Sequence, residues 1–504
     1  MTVKNESPDD KKTWSDLLEE AKNFNRKPIE KDRRPNKTFV IKKCGITLDF
    51  SRQNINTRIL NKLTLLAQEC NLNRKISDFS NLKFSKLQNN PKAMHMVLRD
   101  VEHSNKSFNK EINSEVDKES KRFLKFAEKL RAYAVFGWNN FPIKTVVIFG
   151  FGGSIMGPKF ATHALKCNES SSKVKLFFVS NPDCIEFNCI LEKLSAKETF
   201  FIIQSKSLKT PEISILKNRA IKWMKVHGCP DSCLKKHFAV VTANLSKSKS
   251  EGYLGTHTFR IWEWVGGRFS IWSSMGLPLA IAIGAEKFNE FLSGAKEMDN
   301  HFTNEKFSTN LPVLSALLSI WNRNFLNYPS YVVAPYISKL DFLVDYIQQL
   351  DMESLGKNIH TNGKPCRINT GQIVWGGAGI QGQHAYFQLL HQGKHVIPVD
   401  FYGLNESNQK DKIKNPQFSF MFSSLKAQAD SLFLGDKHNN FEGRRPSNVF
   451  LMDEINPKIL GALLSLQEHR IFVMSSIWNI NPFDQPGVEL GKKLLSKNLK
   501  EKLE

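Results

Sequence analysis

Short apolar runs alternate with helical patterns in two separate series along the chain, and this repetition limits the folds open to it. The first series starts with Thr145–Phe149, a continuous apolar run typical of a strand buried on both faces of a parallel sheet. Its other predicted strands are 173–179, 199–203 and 237–241. The second series is predicted at Ser330–Pro335, 372–375, 395–399, 449–452 and 471–474. Two such series predict an α/β protein with two doubly wound, parallel-sheet lobes, each an α-β-α sandwich.

The residues before the first series are predicted to be mostly helical. A helical repeat of apolar residues begins near Thr13, and a second helix is predicted after Asn56 or Thr57, either of which can cap it. A short strand is predicted at 46–50. We expect an N-terminal segment over 1–119, a first lobe over 120–285, a second lobe over 286–492 and a tail over 493–504.

The charge balance favours anionic partners. The chain carries 71 Lys and Arg against 49 Asp and Glu, a formal net charge of +22. The basic residues are spread along the whole chain, and no zinc-finger, RNP-like or basic-zipper pattern is present. We therefore do not expect nucleic-acid binding as the function.

Membrane and secretory segments are not predicted. The longest apolar run, 277–285, is far shorter than the roughly 18–20 residues of a membrane helix. The first twelve residues are polar and charged, without the apolar core of a secretory signal. We expect a cytoplasmic protein that does not bind membranes.

The cysteines show no disulfide or metal framework. His227, Cys229, Cys233 and His237 could be written as four zinc ligands, but structural zinc sites usually show tighter paired spacings. A loop that leads into a strand explains the same residues. We expect no metal and no cofactor.

Residues 370–401 read as strand, glycine turn, helix and strand. The strand 372–375 is followed by Gly376, Gly377 and Gly379, which let the backbone approach a ligand closely. A helix is predicted over 383–392, ended by Gly393. In an α/β sheet the ligand crevice lies at the carboxyl end of such a strand.

Two further loops fit an anionic ligand. Residues 150–154 join a strand to a helix, and their glycines, Gly153 among them, turn backbone amides towards an anion while Ser154 adds a hydroxyl. Their spacing does not fit a dinucleotide-binding fingerprint. The second loop precedes a helix and holds Ser205, Lys206, Ser207 and Thr210. An ordinary helix cap would explain it alone, but two such loops in one lobe favour a phosphate site.

Arg268, Gln485 and Lys492 are candidate site residues near the ends of the two lobes. Arg268 lies between a Gly-Gly turn and aromatic residues, where it could stabilise an oxyanion or merely stack on a ring. Considered alone, without the rest of the chain, Lys492 is interpreted as a solvated lysine on a helix.

These stretches together resemble the glucose-6-phosphate isomerase (phosphoglucose isomerase) family over nearly the whole chain. The resemblance rests on 263–273, on 475–492 with its Phe-Asp-Gln-x-Gly-Val-Glu-x-x-Lys ending, and on the blocks 348–357 and 441–448. It implies two SIS-type lobes, a homodimer, no metal, and interconversion of glucose 6-phosphate and fructose 6-phosphate.

The resemblance also implies roles for single residues. Ser205, Lys206, Ser207 and Thr210 would bind the phosphate, and Ser154, in the turn that contains Gly153, would contact the sugar. Arg268 would stabilise the enediolate intermediate. Gln485 and Lys492 would lie at the end of the sugar where the ring opens.

Three features depart from the family pattern. Gly377 occupies the place of the glutamate that moves a proton between C2 and C1. The ring-opening histidine is expected near Asn408 or Gln409, but residues 402–416 contain no histidine. The resemblance also implies a longer C-terminal arm, which we expect to be missing after Glu504.

The departures predict weak turnover. General acid–base catalysis by one positioned group accelerates a reaction by roughly 10²–10⁴-fold. The loss of the base is therefore expected to remove most of the activity. The chain is expected to be a glucose-6-phosphate isomerase with impaired activity. The alternative is a non-catalytic sugar-phosphate-binding pseudoenzyme on the same fold.

Overall fold

The computed structural model describes residues 7–26, 39–82, 94–100, 110–166, 172–406 and 416–501. Its strands are β1 Val40–Lys43, β2 Ile46–Asp49, β3 Thr145–Phe149, β4 Lys175–Val179, β5 Thr199–Gln204, β6 Phe238–Thr242, β7 Thr258–Arg260, β8 Ser330–Pro335, β9 Ile373–Gly376, β10 Val399–Leu404 and β11 Ser447–Met452. The α-helices are α1 Lys12–Arg26, α2 Thr57–Glu69, α3 Leu72–Ser80, α4 Lys110–Arg131, α5 Met156–Leu165, α6 Ile185–Leu191, α7 Pro211–Val226, α8 Asp231–Leu234, α9 Leu245–Ser250, α10 Leu277–Ile283, α11 Ala285–Asn304, α12 Leu311–Ile320, α13 Leu343–Leu355, α14 Gly379–Gln383, α15 Phe387–Gln392, α16 Pro416–Leu434, α17 Pro457–Trp478 and α18 Pro486–Glu501.

The first lobe is built on a five-stranded sheet in the order β4-β3-β5-β6-β7. All of its neighbouring strands pair in parallel, with Thr145 opposite Thr199 where β3 meets β5. Every residue of β3 is buried, which agrees with the continuous apolar run seen in the sequence. The predicted α/β lobe is confirmed.

The second lobe is built on a six-stranded sheet in the order β1-β2-β11-β10-β8-β9. Strands β11, β10, β8 and β9 are parallel. The hairpin β1–β2 is antiparallel and adds β2 antiparallel to β11. The prediction of an all-parallel second sheet is therefore incomplete, since two strands of the N-terminal segment extend it at one edge.

The two faces of each sheet are covered by different apolar clusters. On β3, Val146 and Ile148 join the large central core, whereas Val147 and Phe149 join a smaller core on the outer face of the first lobe. This division follows from the two-residue period of a strand. A third cluster, which includes Val399 of β10, covers the outer face of the second sheet.

One predicted strand is wrong. Residues 471–474 lie inside the 22-residue helix α17, in which all residues except Lys458 are buried. A short apolar run looks the same in a buried strand and in a helix buried on all sides, so periodicity could not separate the two.

Two further boundaries differ from the sequence prediction. The strand predicted at 395–399 begins only at Val399, after Pro398, whose ring nitrogen cannot donate to a ladder. The helix predicted over 383–392 is two short helices, α14 and α15, separated at 384–386. Tyr386 leaves the helical conformation there and lies edge-on to Trp375 at 4.9 Å.

The N-terminal helices agree with the sequence. Helix α1 begins at Lys12, and α2 is capped by Asn56, whose side chain accepts a hydrogen bond from the Ile59 N–H at 2.9 Å. The short strand predicted at 46–50 is β2. Among the described residues no helix has the length and hydropathy needed to cross a membrane.

Candidate functional site

A tight turn of glycines ends β3 and meets the loop that carries Arg268. Gly152 has φ +52°, and a Cβ on Gly153 would lie 2.2 Å from the carbonyl carbon of Gly267. The Ser270 hydroxyl donates to the Gly153 carbonyl oxygen at 3.3 Å. Only glycine at 153 lets the two backbones touch, so the predicted anion turn and Arg268 are brought together.

Arg268 is buried and held from several sides. Its side chain is only 3% exposed. Its Nε donates to Ser354 Oγ at 2.6 Å, and its Nη2 donates to the carbonyl oxygens of Pro482 and Asp484. The guanidinium is therefore fixed between α13 and the segment that precedes α18.

The remaining nitrogen of this guanidinium, Nη1, faces two side chains. It lies 3.4 Å from Glu353 Oε1 and 3.4 Å from Gln485 Oε1. Burial lowers the pKa of Arg268, and the carboxylates of Glu353 and Asp484 act in the opposite direction. An arginine stays charged even so. A fixed, desolvated cation of this kind can stabilise an oxyanion.

The loop 205–210 presents hydroxyl groups at the start of α7. Ser205 Oγ accepts the Leu208 N–H at 3.1 Å, and Ser207 Oγ accepts the N–H two residues further on at 3.2 Å. Leu208 has φ +52°, which bends the loop sharply. Thr210 is the N-cap residue of α7, yet its side chain makes no capping hydrogen bond.

Lys206 links this hydroxyl loop to the segment that leads to Arg268. Its Nζ donates to the carbonyl oxygens of Glu263 at 2.7 Å and Val265 at 3.1 Å, and it pairs with the Glu263 carboxylate at 3.1 Å. The side chain is 24% exposed. Four of the predicted phosphate ligands are thus neighbours on one loop, which is tied to the arginine loop.

Helix α13 connects the glycine turn of the first lobe to β9 of the second. Gln349 Nε2 donates to Glu353 Oε2 at 2.9 Å, and a Cβ on Gly152 would lie 2.9 Å from the same Gln349 nitrogen. Gln348 Nε2 donates to the Val374 carbonyl of β9 at 2.9 Å. One helix therefore contacts the turn, Arg268 and the strand that ends before Gly377.

Gly376 and Gly377 differ in what surrounds them. Gly376 has φ +145°, and a Cβ there would lie 2.1 Å from the Val333 carbonyl oxygen. Gly377 lies outside the left-handed region, and apart from its two chain neighbours no atom of the described residues lies within 4 Å of the place where its Cβ would be. Its N–H donates to the Val333 carbonyl at 3.2 Å. The position accepts a larger residue but supplies no titratable group.

Lys357 and Ser354 were not predicted as site residues. Lys357 Nζ donates to the carbonyl oxygens of Asn481 at 3.0 Å and Asp484 at 2.9 Å, and pairs with the Asp484 carboxylate at 3.0 Å. Burial lowers the pKa of this lysine. The four-residue spacing of Gln349 and Glu353 places these two side chains on one face of α13, but Lys357 lies beyond the end of the helix at Leu355, so no local spacing indicates its role or that of Ser354.

Two sequence predictions lie outside the described parts of the chain. Lys492 belongs to α18, where the helix backbone is described and this side chain is not. Residues 407–415, where the ring-opening histidine was expected and not found, are also outside the described residues.

Metal-binding groups are not found in the described residues: no three His, Cys, Asp or Glu side chains are arranged to hold an ion. His237, one of the four residues weighed as zinc ligands, is buried between backbone groups instead. Its Nδ1 lies 2.7 Å from the Thr199 carbonyl, and its Nε2 accepts the Trp138 N–H at 2.9 Å.

Comparison with known proteins gives concordant results for sequence and fold. A family model described as phosphoglucose isomerase matches residues 49–504. The glucose-6-phosphate isomerase of Campylobacter jejuni subsp. doylei is 38% identical, with 92% of this chain and 88% of that protein covered. The protein of the same name from Burkholderia ambifaria is 36% identical, again with 92% of this chain and 88% of that protein covered.

A crystal structure of a glucose-6-phosphate isomerase from Chlamydia trachomatis superposes with a TM-score of 0.87 at 28% identity, and covers 99% of this chain and 97% of that one. The match therefore extends through both lobes. With a family model that spans nine-tenths of its length and relatives above one-third identity, this chain belongs to the phosphoglucose isomerase family.

Proposed function

We propose that the protein is a glucose-6-phosphate isomerase that binds glucose 6-phosphate and fructose 6-phosphate but interconverts them slowly. The observation that carries this proposal is the contrast between Arg268, which is buried and fixed, and Gly377, which has no side chain. The first keeps the means to stabilise a negatively charged intermediate. The second leaves the proton transfer without the family's base.

The phosphate of the substrate is assigned to the loop 205–210. The hydroxyl groups of Ser205, Ser207 and Thr210 supply donors that a phosphoryl group requires, and Lys206, whose ammonium is held by Glu263 and Val265, would add its positive charge beside them. They stand at the N-terminal end of α7, where the helix dipole also favours an anion. The sugar would then extend towards Gly153 and Ser154.

The chemical step is assigned to the cluster around Arg268. The open-chain sugar loses a proton from C2, and the enediolate oxygen that forms is stabilised by the guanidinium. Gln485, which lies 3.4 Å from Arg268, would contact the end of the sugar where the ring opens, together with Lys492. Aldose–ketose isomerisation still needs a group that moves the proton from C2 to C1, and Gly377 has none.

A non-catalytic sugar-phosphate-binding protein is the second candidate. It is favoured by the open space at Gly377, where no side chain of the described residues lies within 4 Å of the Cβ position to take the place of the glutamate. Both candidates require the same binding site. They differ only in whether turnover is measurable above the uncatalysed rate.

Binding of fructose 6-phosphate, followed by titration calorimetry, tests the shared part of the proposal. We expect saturable binding that is weakened at least about tenfold in Ser205→Ala/Thr210→Ala, because two hydrogen bonds to a charged group are lost. The matched control is Ser214→Ala, on the exposed surface of α7. If the native chain does not bind the sugar phosphate, or if the double variant binds it equally well, the assignment is wrong.

We also propose a homodimer in the cytoplasm, as the family resemblance implies. All seven cysteines in the described part of the chain are unbridged, which suits a reducing compartment. The mass in solution, measured by light scattering, should equal twice the chain mass of 57.6 kDa.

A further inference from the structure

A cavity of about 500 Å³ opens on the first lobe, away from the Arg268 cluster. Its walls are formed by one face of α4, by Ala134–Phe136 after that helix, and by Lys236 and Thr256–His257. It shares no lining residue with the site assigned to the sugar phosphate. Its volume lies in the range of roughly 300–1,000 Å³ that is usual for small-molecule sites.

The charged side chains of the described residues that line the cavity are all basic. Lys125 and Lys129 project from α4, and Lys236 from the opposite wall. None of the three makes an ion pair with a residue in the described ranges, and no acidic side chain there lines the cavity. The cavity therefore holds three amines whose charge no acidic side chain of the described residues neutralises through an ion pair.

The acidic residues of α4 are engaged elsewhere. Glu119 pairs with Arg122 at 2.7 Å and accepts the Arg260 N–H at 2.8 Å. Glu128 accepts the Ala285 N–H at 2.7 Å. Arg122 is in turn fixed against the Phe259 ring at 4.9 Å, so this arginine shapes the wall while the lysines carry the available charge.

Aromatic groups form the other part of the cavity. Phe136 is 52% exposed, so a ligand that covers its ring would gain from burying this apolar surface. Phe126 is buried, and its ring centroid lies 5.2 Å from that of His257. A flat ring bound here would find an exposed aromatic face beside the lysines.

We propose that this cavity binds a nucleoside phosphate, with the phosphates on Lys125, Lys129 and Lys236 and the base against Phe136. Bare phosphate would leave the Phe136 ring exposed, and an apolar ligand would leave three amines without a counter-charge. Lysine ammonium groups bind phosphate oxygens as point charges, and stacking on a ring accepts any base. A cavity of this volume holds one nucleotide rather than a strand.

Titration calorimetry with ATP in an EDTA buffer tests the proposal on the intact chain. We expect saturable binding that is weakened at least about tenfold in Lys125→Gln/Lys129→Gln, where two charged hydrogen bonds are lost. The matched control, Lys118→Gln/Lys121→Gln, removes the same charge from the same helix outside the cavity. Lys121 is paired with Asp117 at 2.7 Å and its side chain is 76% exposed. ATP binding should be unchanged in this control.

Phe136→Ala separates stacking from charge, and a thermal melt verifies that each variant is folded. We expect this variant to bind ATP less tightly than the native chain does. Its affinity for inorganic tripolyphosphate, which we expect to be lower than that for ATP in the native chain, should be unchanged. Equal affinity for ATP and tripolyphosphate would overturn the assignment of a nucleoside. ATP binding that survives Lys125→Gln/Lys129→Gln but is lost in Ser205→Ala/Thr210→Ala would show that the sugar-phosphate loop is the site. A single-stranded oligonucleotide that binds more tightly than ATP and depends on the same lysines would show a nucleic-acid surface instead.

Discussion

At the scale of single residues, Gly376 and Gly377 show why a glycine-rich loop cannot be read as one feature. The backbone at Gly376 has φ +145°, and a Cβ there would collide with the Val333 carbonyl at 2.1 Å. Gly377 has an ordinary backbone conformation and open space around it. The first glycine is required by the fold, whereas the second leaves room for a functional side chain.

Alanine substitution should separate these two residues. Gly376→Ala forces a left-handed conformation and a backbone clash, so we expect it to lower the free energy of unfolding by about 3 kcal/mol or more. Gly377→Ala should change it by less than about 1 kcal/mol. Urea unfolding of both variants measures the difference. Similar losses of stability in the two would mean that position 377 is as constrained as 376.

At the scale of elements, α13 organises the site on one face and a buried polar network on the other. Gln349 and Glu353 face the glycine turn and Arg268. On the opposite side, Asp351 is buried and its Oδ2 accepts a hydrogen bond from the Tyr331 hydroxyl of β8 at 3.0 Å, while its Oδ1 has no hydrogen-bond partner among the described residues. The hydrogen bond between Tyr331 and Asp351 therefore links α13 to β8.

Stability should depend on pH through this helix. Burial raises the pKa of Asp351 from 3.8 to about 6, against the opposing effects of Arg470 and Tyr331. The native state then binds the proton more tightly than the unfolded state does. The stabilisation is complete below pH 3.8 and is lost as the pH rises through 6.

The Asp351→Asn variant lacks this titrating group. Its free energy of unfolding, relative to that of the native chain, should therefore rise by about 2 kcal/mol between pH 4.5 and pH 7.5. A change in the free energy of unfolding that the amide causes at every pH is the same at both pH values, so it cancels in this comparison. Asp231→Asn, at a carboxylate with a 74% exposed side chain, is the control and should show no such trend. A difference that stays flat with pH would contradict the raised pKa.

The elements also show where sequence reasoning succeeds and where it stops. Strand β8 was predicted over the residues that form it, because a buried parallel strand leaves a continuous apolar run between turns. Residues 471–474 leave a similar run inside α17, since that helix is buried on all sides. In both cases the run of apolar residues indicates that the segment is buried. It does not indicate whether the buried segment is a strand or a helix.

At the scale of the whole molecule, the candidate site is assembled from segments far apart in the chain. The loops at 150–154 and 205–210 and Arg268 were each singled out from the sequence as candidates for an anion. The sequence did not predict that Ser354 would hold Arg268 or that Lys357 would fix the segment before α18. Those contacts depend on how the two lobes pack together, which no local spacing encodes.

We propose that this chain retains the family's binding site and lacks its base. Since Gly377 has ordinary backbone geometry and open space, Gly377→Glu should fold normally and supply a carboxylate at the family's position. Because a positioned base contributes roughly 10²–10⁴ in rate, the gain should be large even when other groups are missing. Gly377→Gln has nearly the same size without the carboxylate and is the matched control.

A coupled assay of fructose 6-phosphate conversion on the native chain, Gly377→Glu and Gly377→Gln is the most direct measurement. We predict turnover in the native chain below about 1 per second, the lower end of ordinary enzymes, and at least a hundredfold gain only in Gly377→Glu. Robust native turnover that the glutamate does not increase would contradict the account. It would show that another group of this chain already moves the proton.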